Sequence, residues 1–282
     1  MDDFRKKLLK QWQNAGFTDD FIFFAVMHNR ALCKEMIERL LDIKIDKIEY
    51  PKLQHTIKTS QRSKGVRLDV YLKGSNKVFN LEMQTANSKS LAKRTRYYQS
   101  IIDVDMLDKG CDYNELPELY ILFICTDDPF DKGLPVYTFN RQCEESSELK
   151  LNDETHIKFY NAKAYMKEQN ENIREILEYI DTGKANAEFT EKLQANVEQT
   201  KSRDKIRSRY MTLELKYRDK MREGLEKGLK KGRKQGLKRG IARGEHAKAV
   251  DMAHTMLLDG EKPDKIQRYT GLSLDEIAKI KY

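Results

Sequence analysis

The sequence predicts an α/β protein, a mixed central sheet flanked by helices, with a helical and basic C-terminal extension. Three observations predict it. Val66-Arg67-Leu68-Asp69-Val70-Tyr71-Leu72 and Val78-Phe79-Asn80-Leu81-Glu82-Met83-Gln84 alternate apolar and polar residues at the period of a half-buried strand. Leu119-Tyr120-Ile121-Leu122-Phe123-Ile124-Cys125 is a nearly continuous apolar run, the mark of a strand buried on both faces. From residue 165 onward the chain is charged and helical in pattern, with a basic stretch in which glycine recurs every fourth residue.

In order along the chain, residues 2 to 14 read as a short amphipathic helix. Residues 18 to 42 hold one or two more, with Phe21, Phe23, Phe24, Val26 and Met27, then Leu32, Met36, Ile37, Leu40 and Leu41, at helical spacing. These aromatics are core, not a cofactor box. Ile43 to Tyr50 alternates weakly and is expected as a strand ending at Pro51, and a polar loop, 52 to 64, leads into the two alternating strands. Residues 88 to 107 are expected to be helical, with Arg94 and Tyr98 four apart on one face. A helix between the second alternating strand and the 119–125 run makes a crossover, so these two strands are expected to lie parallel. Tyr137-Thr138-Phe139 and His156-Ile157-Lys158-Phe159-Tyr160 are shorter strand candidates. Thr126-Asp127-Asp128 follows the apolar run; its acids suit a loop cap better than a second set of metal ligands.

Glycines 224, 228, 232, 236, 240 and 244 lie four apart with Lys and Arg between them. Six glycines weaken a helix by very roughly 6 kcal/mol relative to alanine. An isolated rigid helix is therefore not expected, and either close helix–helix approach in a homo-oligomer or a frayed basic linker would fit. Beyond it, Ala249, Met252, Ala253, Met256 and Leu257 mark a helix ending near Gly260. Pro263 can start another, and Ser273-Leu274-Asp275-Glu276 is a capping box opening a last turn or two. Helix, turn through Gly271 and helix resembles a helix-turn-helix, a pattern equally good for packing or oligomerisation. The expected divisions are an N-terminal helix at 1–17, a core at 18–165, a charged helical region at 166–220, the glycine-repeat segment at 221–244 and a small helical module at 245–282.

The chemistry starts from the two alternating strands. Gly74-Ser75-Asn76 reads as a tight turn. If Ser75 and Asn76 form a two-residue loop, Gly74 faces Lys77 and Asp69 faces Glu82 across the ladder, with Cβ atoms roughly 5 Å apart. Two carboxylates at about 5 Å repel by roughly 3 kcal/mol at an effective dielectric near 20. Either one is protonated or a cation joins them. A hard oxygen donor set suits magnesium or manganese. Gln84 and Arg67 share the face by the same parity. Acid and base pairs on the wet face of a hairpin are also common with no chemistry attached.

Asp69, then Glu82-Met83-Gln84 on the next strand, resembles the PD-(D/E)XK nuclease superfamily, with Gln84 in place of the usual lysine and Leu68 in place of the proline. Lys64-Gly65-Val66-Arg67-Leu68-Asp69-Val70-Tyr71, Asn80-Leu81-Glu82-Met83-Gln84, Lys93-Arg94-Thr95-Arg96-Tyr97-Tyr98 and Leu122-Phe123-Ile124-Cys125 with Asp128-Pro129-Phe130 resemble, more narrowly, the PD-(D/E)XK nuclease family transposases, also called the Rpn family of recombination-promoting nucleases. The resemblance covers roughly residues 18 to 165. It implies a restriction-endonuclease-like core and a metal-dependent DNA endonuclease, with Asp69 and Glu82 as metal ligands and Gln84 where the superfamily lysine orients the water. Glutamine removes a positive charge, and Arg67 and Arg94 are candidates to compensate. The superfamily often adds an acid from the first core helix, for which Glu38 is the best match.

Charge and composition bound the alternatives. The chain has 282 residues, 35% of them charged and 39% hydrophobic, so the core is confined to part of it. Residues 201 to 250 hold 18 Lys or Arg against 6 Asp or Glu, a net of +12, which leaves −4 on the rest of a chain that carries +8 overall. Lys230, Lys231, Arg233 and Lys234 are the centre of this stretch and a candidate handle for the phosphate backbone of DNA; a solvated, charge-rich helix would read the same way. Four cysteines without a Cys-Xaa-Xaa-Cys pair read as free thiols in a reducing compartment. No apolar run approaches about 18 residues, so no membrane span is expected, and the chain reads as cytoplasmic. The five histidines form no zinc pattern, and neither a serine-nucleophile motif nor a Walker loop occurs. The rival to an enzyme is an inactive core whose basic extension binds nucleic acid or assembles subunits, a reading that draws on the missing lysine at position 84.

Overall fold

The computed structural model describes residues 2–46, 55–57, 66–68, 70–74, 76–86 and 90–280. They fall into two compact units, 1–211 and 212–282. In the first, three helices open the chain: α1 (Asp2–Asn14), α2 (Asp20–Val26) and α3 (Arg30–Leu41). The last two start on side-chain caps, Asp19 accepting from the Phe21 and Ile22 amides and Asn29 from those of Ala31 and Leu32. Two short strands, β1 (His55–Ile57) and β2 (Val66–Leu68), pair antiparallel as a separate two-stranded sheet.

The main sheet has five strands: β3 (Val70–Gly74), β4 (Lys77–Gln84), β5 (Glu118–Cys125), β6 (Val136–Phe139) and β7 (Thr155–Asn161), in the order β3-β4-β5-β7-β6. The β3–β4 and β6–β7 pairs are antiparallel, whereas β4, β5 and β7 run parallel, so the sheet is mixed as expected. Helix α4 (Leu91–Met106) makes the crossover from β4 to β5. Helices α5 (Glu171–Thr182), α6 (Glu188–Ser202) and the start of α7 (Asp204–Leu258) complete this unit.

Strand parity divides the core into two layers. Phe79, Leu81 and Met83 of β4 pack with Leu122, Ile124 and Tyr160 against α2, α3, α5 and α6. Here the buried Tyr160 hydroxyl donates to the Leu40 carbonyl at 2.6 Å, tying β7 to the end of α3. On the other face, Val78, Ile121, Phe123 and Phe159 pack against Leu91, Tyr98, Ile101 and Ile102 of α4.

Several expectations change. The strand expected at 43–50 is absent from residues 43–46, and the rest of that segment lies outside the described residues. The polar stretch 52–64 contains β1, whose three residues are too few to show a period. The strand expected at 66–72 is two strands in two different sheets. The helix weakened by glycine is instead unbroken: α7 runs through all six glycines. Leu, Lys, Arg and Gln between them are strong helix formers that offset the glycine penalty. A Cβ built on any of the six would meet nothing within 4 Å, so these glycines serve no close approach among the described residues.

In the second unit α7 continues to Leu258 and is followed by α8 (Pro263–Thr270) and α9 (Leu274–Ala278). Ala253, Ile266, Leu272 and Ile277 form its small core. Gly271 takes the left-handed conformation (φ 72°) that ends α8. Ser273 and Glu276 form the expected capping box.

Candidate active site

The carboxyl ends of the three parallel strands, Gln84, Cys125 and Asn161, lie side by side in register. Ligands in open α/β sheets collect outside such ends. Along β4 the alternation puts Asn80, Glu82 and Gln84 on the α4 side, opposite the layer that takes Phe79, Leu81 and Met83. Glu82 is 4% exposed and Asn80 fully buried.

The ladder bears out the expected register: Gly74 pairs with Lys77, Tyr71 with Asn80 and Val70 with Leu81. Asn76 sits in the left-handed region (φ 57°), which suits the turn. Asp69, the other expected carboxylate, lies outside the described residues.

Gln84 is held from three sides. Its main-chain carbonyl accepts from the Thr126 amide at 3.0 Å, which joins the ends of β4 and β5. Its side-chain Nε2 donates to the Ala86 carbonyl. Its Oε1 accepts from Nη2 of Arg94 at 2.5 Å. Arg94 projects from α4 with its guanidinium carbon 4.9 Å from the ring centre of Phe123 and 5.6 Å from that of Tyr98. Its Nε is buried without a hydrogen-bond partner. The face therefore carries a carboxylate, an amide and a guanidinium on an aromatic floor. The Cys125 thiol beside them is pushed up to about 12, by burial first, with the Arg94 charge acting the other way. It is no nucleophile.

Other sequence candidates fall elsewhere. Glu38 is on α3, which packs on the opposite layer. Its Oε1 accepts from the Ile45 amide at 2.8 Å and so closes the turn after the helix. Arg67 is on β2, in the two-stranded sheet. Tyr98 is buried under Arg94. Lys230, Lys231, Arg233 and Lys234 are exposed on α7 in the second unit.

Asp128 is a loop cap. Its Oδ1 accepts from the Phe130 and Asp131 amides at 3.0 and 3.1 Å and from the Tyr137 hydroxyl at 2.7 Å, and its Oδ2 from the Gly133 amide at 2.6 Å. Burial pushes this carboxyl up, but the Tyr137 hydroxyl and the three amides together hold it below the ordinary aspartate range. Sequence reading missed Phe123 as the platform for Arg94, because the two are brought together only by the crossover. It also missed Asn80, although its parity with Glu82 and Gln84 was there to be read.

A profile of the PD-(D/E)XK nuclease family transposases matches residues 18–230, more than half of the chain. The chain belongs to this family. Among curated proteins and among solved structures there is no significant match. Membership supports a nuclease-like or transposase-like function, in keeping with the mixed sheet and its flanking helices. Within the described residues no group of three or more His, Cys, Asp or Glu forms a metal cluster. Among the described residues Glu82 offers a buried carboxylate on this face, and the donor type fits magnesium or manganese. No helix among the described residues is long and apolar enough to cross a membrane.

Proposed function

We propose that this member of the family is a metal-dependent DNA endonuclease. The observation that carries the reading is the buried Glu82 carboxylate near the carboxyl end of β4, beside Gln84 and Arg94; the sequence pattern supplies Asp69 as its expected partner. Asp69 and Glu82 would hold a magnesium or manganese ion. When bound, such an ion offsets charge on the scissile phosphate and lowers the pKa of water.

The chain's own residues do the rest. Gln84 spends one Nε2 proton on Ala86 and has a second with which to orient the attacking water. Phe123 and Tyr98 floor the site. Arg67 and the exposed Lys230, Lys231, Arg233 and Lys234 supply contacts to the phosphate backbone, which set affinity rather than sequence. Glu38 already serves the turn after α3 and keeps at most an outlying place in this scheme.

Nicking of supercoiled plasmid with magnesium tests the proposal, with Asp69→Ala and Glu82→Ala prepared in parallel. Metal-dependent nicking that both variants abolish is the expected result. DNA binding without nicking by the wild-type protein would instead favour the inactive scaffold.

A further inference from the structure

We infer that Arg94 is the cation this site sets against the scissile phosphate, supplying the positive charge that the wider superfamily draws from a lysine, and that Gln84 positions it. The inference rests on the nuclease reading above and deepens it.

The neutral amide of Gln84 leaves β4 without a positive charge beside Glu82. The sequence offers two arginines to replace it, and the fold separates them: Arg67 is on β2, outside the main sheet, whereas Arg94 descends from α4 onto the face that holds Glu82 and Gln84. Its guanidinium is held by the Gln84 side-chain oxygen Oε1 and lies over the Phe123 and Tyr98 rings. Aromatic faces attract the cation without neutralising it. Gln84 likewise contributes a dipole, not a countercharge. Among the described residues no carboxylate pairs with Arg94, and its buried Nε–H lacks an acceptor. An unmet buried donor is costly, and a phosphate oxygen would satisfy it. A guanidinium presents five N–H groups in a planar fork suited to two phosphate oxygens, so one edge can stay on Gln84 while others turn to the substrate.

The arrangement gives Gln84 a second use. A lysine at position 84 would carry its own charge; glutamine anchors a charge carried by the next helix. Arg94 and Gln84 therefore act as one group divided between two elements.

The test compares Arg94→Gln, which is neutral but keeps an N–H donor, with Arg94→Lys, which keeps charge, both checked for folding by thermal melts. Plasmid cleavage by Arg94→Gln is expected to fall about 100-fold, the usual loss on removing one preorganised transition-state donor. Arg94→Lys keeps the charge but loses the planar fork, so its cleavage should fall between those of Arg94→Gln and wild type, and adding Gln84→Lys to Arg94→Gln should restore cleavage at least about tenfold. Duplex binding without metal supplies an independent readout. The slope of log affinity against log salt should drop by about one in Arg94→Gln and not in Arg94→Lys. Equal cleavage and equal salt slopes for the two variants would overturn the inference, as would wild-type cleavage by Arg94→Gln. A wild-type protein that never nicks DNA removes the nuclease reading and the lysine-like role with it. An unchanged slope in Arg94→Gln then removes the phosphate contact as well, and a lowered slope retains that contact alone.

Discussion

Replacing Asp128 with asparagine isolates the loop that follows β5, next to the Gln84–Thr126 junction. The substituted side chain keeps an oxygen for the Phe130 and Asp131 amides and the Tyr137 hydroxyl, but sets an NH2 group against the Gly133 amide, which Oδ2 meets at 2.6 Å in the native protein. A partly buried donor left unpaired, together with loss of charge assistance to three bonds, costs about 1–3 kcal/mol. Since Asp128 is only partly buried, about 2 kcal/mol is the expected loss at pH 7. The sign of the pH dependence follows from the depressed carboxyl. Its stabilisation is complete above the unfolded aspartate value, near 3.9, and is lost as pH falls through the lower folded value. Urea denaturation of wild type and Asp128→Asn from pH 7 to pH 3 should show a gap that is constant down to about pH 5 and closes in the acid range. A gap at pH 7 under about 0.5 kcal/mol, or one that persists unchanged to pH 3, would refute the loop-cap account.

Three further outcomes are expected. Tyr160→Phe should destabilise the protein by about 1–2 kcal/mol in urea denaturation, because the Leu40 carbonyl loses its buried donor; no change would mean that this carbonyl finds another. Alanine at Gly228 and Gly232 should raise the thermal stability of the α7 helix by up to about 1 kcal/mol each, read by circular dichroism, since neither Cβ meets a neighbour; a loss would reveal a surface packed against those glycines. Glu38→Gln keeps an acceptor for the Ile45 amide and should leave DNA cleavage within about threefold of wild type, whereas a loss above about 100-fold would return Glu38 to the catalytic group.

The sheet was legible where the pattern was long. Seven alternating residues at 78–84 and seven apolar ones at 119–125 gave β4 and β5, and the helix between them gave their parallel pairing. The register followed from the turn chemistry around Gly74 and Asn76. The break in the 66–72 strand was not legible, because it is a change of pairing partner from β4 to β1, and a local alternation is the same whichever strand it meets. Glu38 stands on the first core helix, where the resemblance seeks an acid, but its contact with the Ile45 amide depends on how the chain leaves α3. Glycine spacing in α7 argued for a weak helix because each residue was weighed alone; ion pairs such as Glu223–Lys227 and long runs of helix formers act together against that penalty. Arg94 and Tyr98 were readable as neighbours on one helix face, but the Phe123 ring beneath them belongs to a strand that only the crossover brings near.

Crystals grown with manganese and measured at a wavelength where it scatters anomalously address the divalent-ion site itself. A single anomalous peak within about 2.0–2.5 Å of carboxylate oxygens from both Asp69 and Glu82 is the predicted result. A manganese-saturated crystal with no peak there, or with Asp69 turned to the layer of Val70 and Leu81, would contradict it.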